Sequence, residues 1–537
     1  MIARKSFLIV TSQFFTRFLG WIGLVVIAKL WGGFAPEALG ILGFAMAFLA
    51  MFNIVADLGF SQAHVKRVSE GNDLGTCIGT YAAIKLILTS LMVTIVFVAV
   101  YIWKNFFNGG FTDATTESVI AVFVIYYIFL NLAQIATVTF QGRREIAKRQ
   151  VTGIFENIVK IPLEILVALA GVSIVGVTYI SPAFNWPDFL QPLQQFLASH
   201  AVGSLAMTYA FATMTTFFVG MWLLRKYPLK KPSWDLCKSY FSFALPIMLI
   251  SIIGVISVNI DKIMIGYFWT SREVGYYFTT QNILEIVVVL SGAVGIVLFP
   301  TISKYHSSKN FHKIMKTTHL AERYVSMVII PVMVVIIVFV NPVIYIMLSD
   351  AFLPAASVFV ALTIYTFIIN LTMPYHSLIG GINRPGITAK IGFIMCSANI
   401  ALNYLLIPEW GFLSPFGIKG PTGAAIATGL SALIGFVGLR LAAKKLTGIK
   451  LIQNHTPRHI IAGLVMGIVL YFLAFCTPFF PYIHWYDLLM FAGMGLAVYL
   501  GILFVLKEFN KQDLDFFLDM IHPKEMIGYI KSELKGK

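Results

Sequence analysis

Charge is scarce in this chain. Asp, Glu, Lys and Arg make up 12% of 537 residues, and the mean hydropathy is +0.84. That composition excludes an ordinary soluble domain and indicates an integral membrane protein. Cysteine is also scarce. Cys77, Cys237, Cys396 and Cys476 are scattered and are expected to be free thiols. The ten histidines are dispersed, so no Cys/His cluster has zinc spacing. No GxxxxGK[ST] loop is present, which excludes a built-in ATPase of that type, and no HExxH is present. Long polar segments are missing too. The longest gap between apolar runs, apart from the tail, is about 22 residues (181–202). A membrane glycosyltransferase or ligase would need a larger outer loop to hold acceptor and metal. No short apolar core followed by a small-residue cleavage site is found, so the first apolar run is expected to be a retained span.

What is present is a series of apolar runs of about 20 residues. They read as fourteen spans at 7–31, 39–60, 77–103, 119–141, 151–180, 203–224, 241–268, 274–300, 323–348, 356–380, 387–407, 420–443, 459–480 and 484–506. Basic residues test this reading. Of the 39 Lys and Arg, 31 fall in or beside one alternate set of gaps. Lys104, Arg272 and Lys419 fall in the other set, and five lie inside spans. Lys and Arg stay cytoplasmic, so both termini are expected on the cytoplasmic side of a cell membrane. The net charge of +15 is then a topology signal and a contact with anionic lipid, not a nucleic-acid footprint.

The gaps also suggest an internal duplication. At an offset of 239 residues, Gly142 matches Gly381, Gly153 matches Gly392, and Leu163 matches Leu402. Spans 1–6 and 7–12 share one gap rhythm. Two even-numbered repeats are parallel, related by an axis along the membrane normal, with a substrate path between them. The expected fold is all-α: a six-helix lobe at 1–232, a second at 233–450, two further helices at 451–506, and a tail at 507–537. The tail alternates charged and apolar residues, as a helix lying on the inner membrane surface does.

Several segments carry a resemblance. Lys29-Leu30, Glu37-Ala38-Leu39-Gly40 and Asp57-Leu58-Gly59-Phe60-Ser61-Gln62-Ala63 open the chain. Asn259-Ile260-Asp261-Lys262-Ile263-Met264-Ile265-Gly266 and Val274-Gly275-Tyr276-Tyr277 open the second half. Asn399-Ile400-Ala401-Leu402-Asn403 and Gly423-Ala424-Ala425-Ile426-Ala427-Thr428 follow. In this order they resemble the polysaccharide transporter family, the O-antigen flippase relatives within the multidrug/oligosaccharidyl-lipid/polysaccharide exporter superfamily. The resemblance spans roughly residues 5–446. It implies a V-shaped pair of lobes that rock to move a lipid-linked oligosaccharide outward, with spans 13 and 14 as an addition. The expected partners are that glycolipid, membrane lipids and glycan polymerase or ligase machinery.

Charges inside spans are unfavourable and must face water or a partner. Arg17, Lys85 and Lys160 lie in the first lobe, reached from the cytoplasmic side. They are candidates to bind the phosphate or pyrophosphate of a polyprenyl or dolichyl carrier, Arg17 with bidentate geometry. Competing readings are structural: Glu156, Lys160 and Glu164 share one helix face and can neutralise each other, and Lys85 can snorkel. In the second lobe Asp261, Glu285, Asn399 and Asn403 are candidates for coupling to Na+ or H+, against interhelical hydrogen bonding. No cofactor or metal is expected. The alternatives are a cation-coupled multidrug exporter of the same superfamily and a membrane glycosyltransferase or ligase. Cations at depth in the first lobe disfavour a cavity for cationic drugs.

Overall fold

The computed structural model describes residues 2–106, 111, 113–174, 178–450, 455–477 and 482–509. The expected tail helix therefore falls largely outside the described residues. The chain is a helical bundle. The first set comprises α1 (Ile2–Trp31), α2 (Ala35–Asn53), α3 (Phe60–Ser69), α4 (Leu74–Phe106), α5 (Thr115–Gly142) and α6 (Ile146–Leu169). A hairpin of β1 (Val172–Ile174) and β2 (Thr178–Ile180) follows, then α7 (Gln191–Ser199) and α8 (Ala201–Leu224). The second set comprises α9 (Trp234–Phe268), α10 (Ser271–Ser307), α11 (Phe311–Val338), α12 (Val340–Met347), α13 (Ala356–Gly381), α14 (Pro385–Leu406) and α15 (Gly420–Thr447). Finally come α16 (His455–Phe475) and α17 (Trp485–Val505).

Every one of the fourteen sequence-read spans falls on a helix. Among the described residues, eleven segments are long and apolar enough to cross a membrane, the first of which, Gln13–Ala56, takes in most of the first two spans. The repeat is visible in the helix starts. Ala35 and Ser271, Leu74 and Phe311, and Ile146 and Pro385 begin equivalent helices, at separations of 236, 237 and 239 residues.

Three spans differ from expectation. The second ends at Asn53 and turns through Ile54–Gly59 into α3, because Gly59 takes a left-handed conformation (φ 86°) open to glycine. The fifth stops at Leu169, and the β-branched residues after it form an antiparallel hairpin pairing Val172 with Ile180. Gly171 (φ 80°) permits that turn, where a Cβ would lie 2.3 Å from the Ile180 carbonyl oxygen. The ninth is broken at Phe339 between α11 and α12.

The two sets meet most closely at the far end of the bundle, opposite the Lys- and Arg-rich connections. There α2 lies on α10 with backbone against backbone. A Cβ on Gly40 would sit 1.6 Å from the Ser271 carbonyl oxygen, and one on Gly275 would sit 1.8 Å from that of Pro36. Gly43 packs under Phe278 and Gly266 under Phe44. Small residues let helices approach this closely in a membrane. Lys29 donates to the Tyr345 carbonyl (2.6 Å) and Arg272 to that of Gly33 (3.2 Å), closing the same end.

At the basic end contact runs through α9. Its first turns belong to the second set by sequence but pack on α3 and α4. Phe60 stacks edge-on to Phe241 at 4.8 Å, His64 bonds the Tyr240 hydroxyl (2.9 Å), and Arg67 donates to the Ser239 carbonyl (3.3 Å). Asp73 accepts from Lys230 at 2.7 Å, tying the α8–α9 connection to α4. The helices α16 and α17 pack on α11. Glu508, just after α17, accepts from Arg323 of α11 and Arg458 of α16 and fastens the pair to the core.

Candidate functional site

The second lobe holds a buried polar centre around Asp261. Asp261 of α9 is 2% exposed, about two turns before that helix ends at Phe268. One carboxylate oxygen accepts from Asn403 (2.6 Å) and Asn399 (3.2 Å) of α14. The other accepts from the Tyr277 hydroxyl of α10 (2.6 Å) and the Thr428 hydroxyl of α15 (2.9 Å). Four helices thus converge on one carboxylate. The two asparagines reach it together because four residues is one helical turn. Thr428 reaches it because α15 begins with small residues and lies against α14: a Cβ on Gly423 would sit 2.1 Å from the Leu406 carbonyl oxygen.

This centre gathers three of the four expected coupling residues and adds Tyr277 and Thr428. Both additions lie in the segments that carry the family resemblance, but nothing in the spacing of Tyr277 or Thr428 pointed at Asp261. One acceptor here is orphaned. The Asn403 Oδ1, on a fully buried side chain, has no partner. A buried oxygen without a donor beside a carboxylate is a place for a cation or a water. The all-oxygen set suits a hard cation.

Glu285 is elsewhere. It lies on α10 and forms an ion pair with Arg17 of α1, joining the two lobes. The Arg17 and Glu285 side chains are 50% and 32% exposed, so the pair sits at a solvent-accessible part of the interlobe face. Lys262, next to Asp261 in sequence, points away from it and donates to Gln281 (2.8 Å) and the Val258 carbonyl (2.9 Å).

The remaining two first-lobe cations have different surroundings. Lys160 of α6 lies 4.8 Å from the ring centre of Tyr209. Glu156 and Glu164 flank it one turn away on either side. Glu156 accepts from Thr213 (3.4 Å), while Glu164 is buried against α1, where a Cβ on Gly23 would meet its Oε2 at 2.3 Å. Lys85 of α4 is completely buried. Its ammonium donates among four acceptors: the Ala56 carbonyl (2.9 Å), Asp57 (3.0 Å), Asn131 (3.1 Å) and Gln134 (2.5 Å). It therefore holds the turn after α2 onto α4 and α5, and its donors are fully engaged.

A second buried ion pair was not expected. Glu322 of α11 pairs with Arg440 of α15, with Tyr375 (2.6 Å) also donating to the carboxylate. Arg440, near the basic end of span 12, is buried, 7% exposed, about two turns inside α15. Among the described residues no group of three or more His, Cys, Asp or Glu is placed to hold a metal ion.

Two sequence profiles, both described as polysaccharide biosynthesis protein, match residues 2–184 and 196–357. A Haloferax volcanii protein named probable low-salt glycan biosynthesis flippase Agl15 is 24% identical over 88% of this chain and 89% of its own. A second protein of that organism, probable flippase AglR, is 26% identical over 33% of this chain and 36% of its own. Among solved structures, the lipid II flippase MurJ in an inward closed conformation superposes with a TM-score of 0.69, at 16% identity, covering 96% of this chain and all of that one. An inward-facing multidrug resistance MATE family transporter gives 0.60 at 14% identity, covering 80% of this chain and 96% of that one. At these identities the structural likeness is one of fold.

Proposed function

Because the chain belongs to the polysaccharide biosynthesis protein family, we propose that it is a flippase for lipid-linked oligosaccharide. It moves the glycan on a polyprenyl or dolichyl phosphate or pyrophosphate from the cytoplasmic to the outer face of the cell membrane. No bond is made or broken. The observation that carries this reading is the similarity to the Haloferax glycan biosynthesis flippase along 88% of the chain.

The moving parts are the lobes at 1–232 and 233–450, with 451–506 carried on the second. Transport alternates between a state closed at the far end and one closed at the basic end. With both termini cytoplasmic, the basic end is the cytoplasmic end, and substrate is taken from there. Arg17 is the residue best suited to the carrier phosphate. It is a bidentate donor, half-exposed at the interlobe face, and held by a carboxylate that a phosphate can replace. Lys160, with a cation–π contact to Tyr209 and flanked by Glu156 and Glu164, is the second candidate. Lys85 serves the site by fixing the turn after α2. The Asp261 centre takes the coupling cation, Na+ or H+, and its orphaned Asn403 oxygen favours that use. The delivered glycolipid passes to polymerase or ligase machinery.

The test is the sidedness of the glycolipid in cells lacking this protein. Oriented vesicles are treated with periodate or a lectin that does not cross the membrane. Accumulation on the cytoplasmic face, reversed by restoring the gene, supports the reading. Unchanged sidedness in a strain with no second flippase refutes it.

A further inference from the structure

The second lobe contains a cavity of about 500 Å3 between α9, α13, α14 and α15. Its deep wall is formed by Asn399 and Thr428, two of the four donors to Asp261. From there it passes Cys396 and His376 and reaches Pro385. Pro385 is the first residue of α14, at the basic end, while Asn399 is about two-thirds of the way along the same helix. The cavity therefore joins the buried carboxylate to the basic end, with every lining residue drawn from the second lobe.

Glycines keep it open. A Cβ on Gly254 of α9 would meet nothing within 4 Å, and one on Gly392 of α14 would meet a methyl of Ile253 at 4.0 Å. Some other glycines of this lobe are used for contact, as Gly423 is against α14. At Gly254 and Gly392 the missing side chains leave space.

We infer that this cavity is the port through which the coupling cation leaves the Asp261 centre toward the cytoplasm. The inference rests on the coupling reading of Asp261. If export of the glycolipid is driven by a cation, the cation moves inward as the lipid moves outward. It must then leave from a carboxylate that is 2% exposed, and it needs water on the way, because a bare cation in hydrocarbon is highly unfavourable. The cavity is large enough for water, with hydroxyls at Ser257, Thr388 and Ser431 along it. Its other walls are mostly apolar and contain no carboxylate. They would let a hydrated cation pass without trapping it. The cavity also lies on the side where the cation must be released, and the far end is closed in this state.

The test uses the full chain in lipid nanodiscs and radioactive sodium as the probe. Gly254→Leu fills the cavity without touching any Asp261 partner, and its Cβ has no clash to disturb folding. A plug raises the barrier equally for arrival and departure. Sodium dissociation is expected to slow by about tenfold or more, the effect of a barrier rise of about 1.4 kcal/mol, with the equilibrium affinity unchanged. An unchanged dissociation rate overturns the port, as does a loss of glycolipid binding with sodium kinetics intact, which would make the cavity a lipid-tail pocket. A second readout is independent of the coupling ion. With Cys77, Cys237 and Cys476 replaced by Ser, a small cationic methanethiosulfonate added at the basic end should modify Cys396, and Gly254→Leu should block it. No modification in either protein overturns the port. If the wild type binds no sodium, proton release is followed with an indicator dye. Binding of neither ion removes the coupling reading itself, and the port with it.

Discussion

The ion pair between Arg17 and Glu285 can be broken from either side, and the two ways should differ. Both side chains are partly exposed, at 50% and 32%. A pair in that setting contributes about 1 kcal/mol or less, since water screens it and both side chains lose freedom. Removing it should therefore shift the balance between joined and separated lobes by about fivefold at most. Glu285→Gln and Arg17→Ala should produce that shift alike. Spin labels at the exposed positions Asn72 and Ser308, one on each lobe near the basic end, would report it as a larger population at long distance. Substrate binding should separate the variants. Glu285→Gln leaves the guanidinium free, so affinity for a polyprenyl phosphate should hold or rise. Arg17→Ala removes a charged hydrogen-bond partner of the phosphate worth about 1.5–3 kcal/mol, so affinity should fall about 10- to 100-fold. Equal losses of affinity in both variants would show that Arg17 serves only its partner. An unmoved distance distribution in both would show that the pair does not bias the lobes.

Four further outcomes are expected. Gly275→Ala puts a Cβ 1.8 Å from the Pro36 carbonyl oxygen; backbone faces backbone, so the far end must part at a cost of about 1–3 kcal/mol, and labels across α2 and α10 that stay at wild-type distance would contradict this. Asp261→Asn should leave the protein in the membrane but abolish the dependence of transport on the sodium or proton gradient; retained dependence excludes the carboxylate. Lys85→Met leaves Asp57 and Asn131 without their shared donor and should destabilise by about 3 kcal/mol, seen as lower thermal stability; a wild-type melting curve would count against the buried network. His64 is pushed down to about 3 by burial, so the folded protein keeps it neutral while the unfolded chain protonates near 6.5. Its contribution is present above about pH 6.5 and is lost as pH falls toward 3. The melting temperature of the wild type should drop more between pH 7 and 5 than that of His64→Gln; parallel curves would refute this.

Much of the architecture was legible because it depends on sums. Twenty apolar residues in a row, or 31 cations in alternate gaps, survive any single misreading. The charged site residues were legible as oddities, since few residues explain a charge in hydrocarbon. Their pairing was not. Arg17 and Glu285 are 268 residues apart, and each was given a separate task that the structure joins. Asn399 and Asn403 are four residues apart, so helical spacing puts them on one face, and both reach Asp261. Tyr277 and Thr428 could not be found this way, because a threonine in a span often bonds within its own helix, as Thr366 does to Leu362, and a tyrosine hydroxyl reaches a partner on another helix that spacing does not name. The breaks at Gly59 and after Leu169 were hidden for a different reason: hydropathy does not distinguish a helix from a short apolar hairpin.

The helix α9 has two allegiances. Its first turns are bonded to α3 through Tyr240 and Ser239, and its later turns hold Asp261 among α10, α14 and α15. No turn of the second lobe as a rigid body can leave both attachments intact. Either the first turns peel away, or the rod flexes between its two anchorages, near Gly254, where a Cβ would meet nothing within 4 Å. A flexed rod behaves as a spring. Tension applied at the Asp261 end, as its occupant comes and goes, would then be felt at the basic mouth with no other messenger between them.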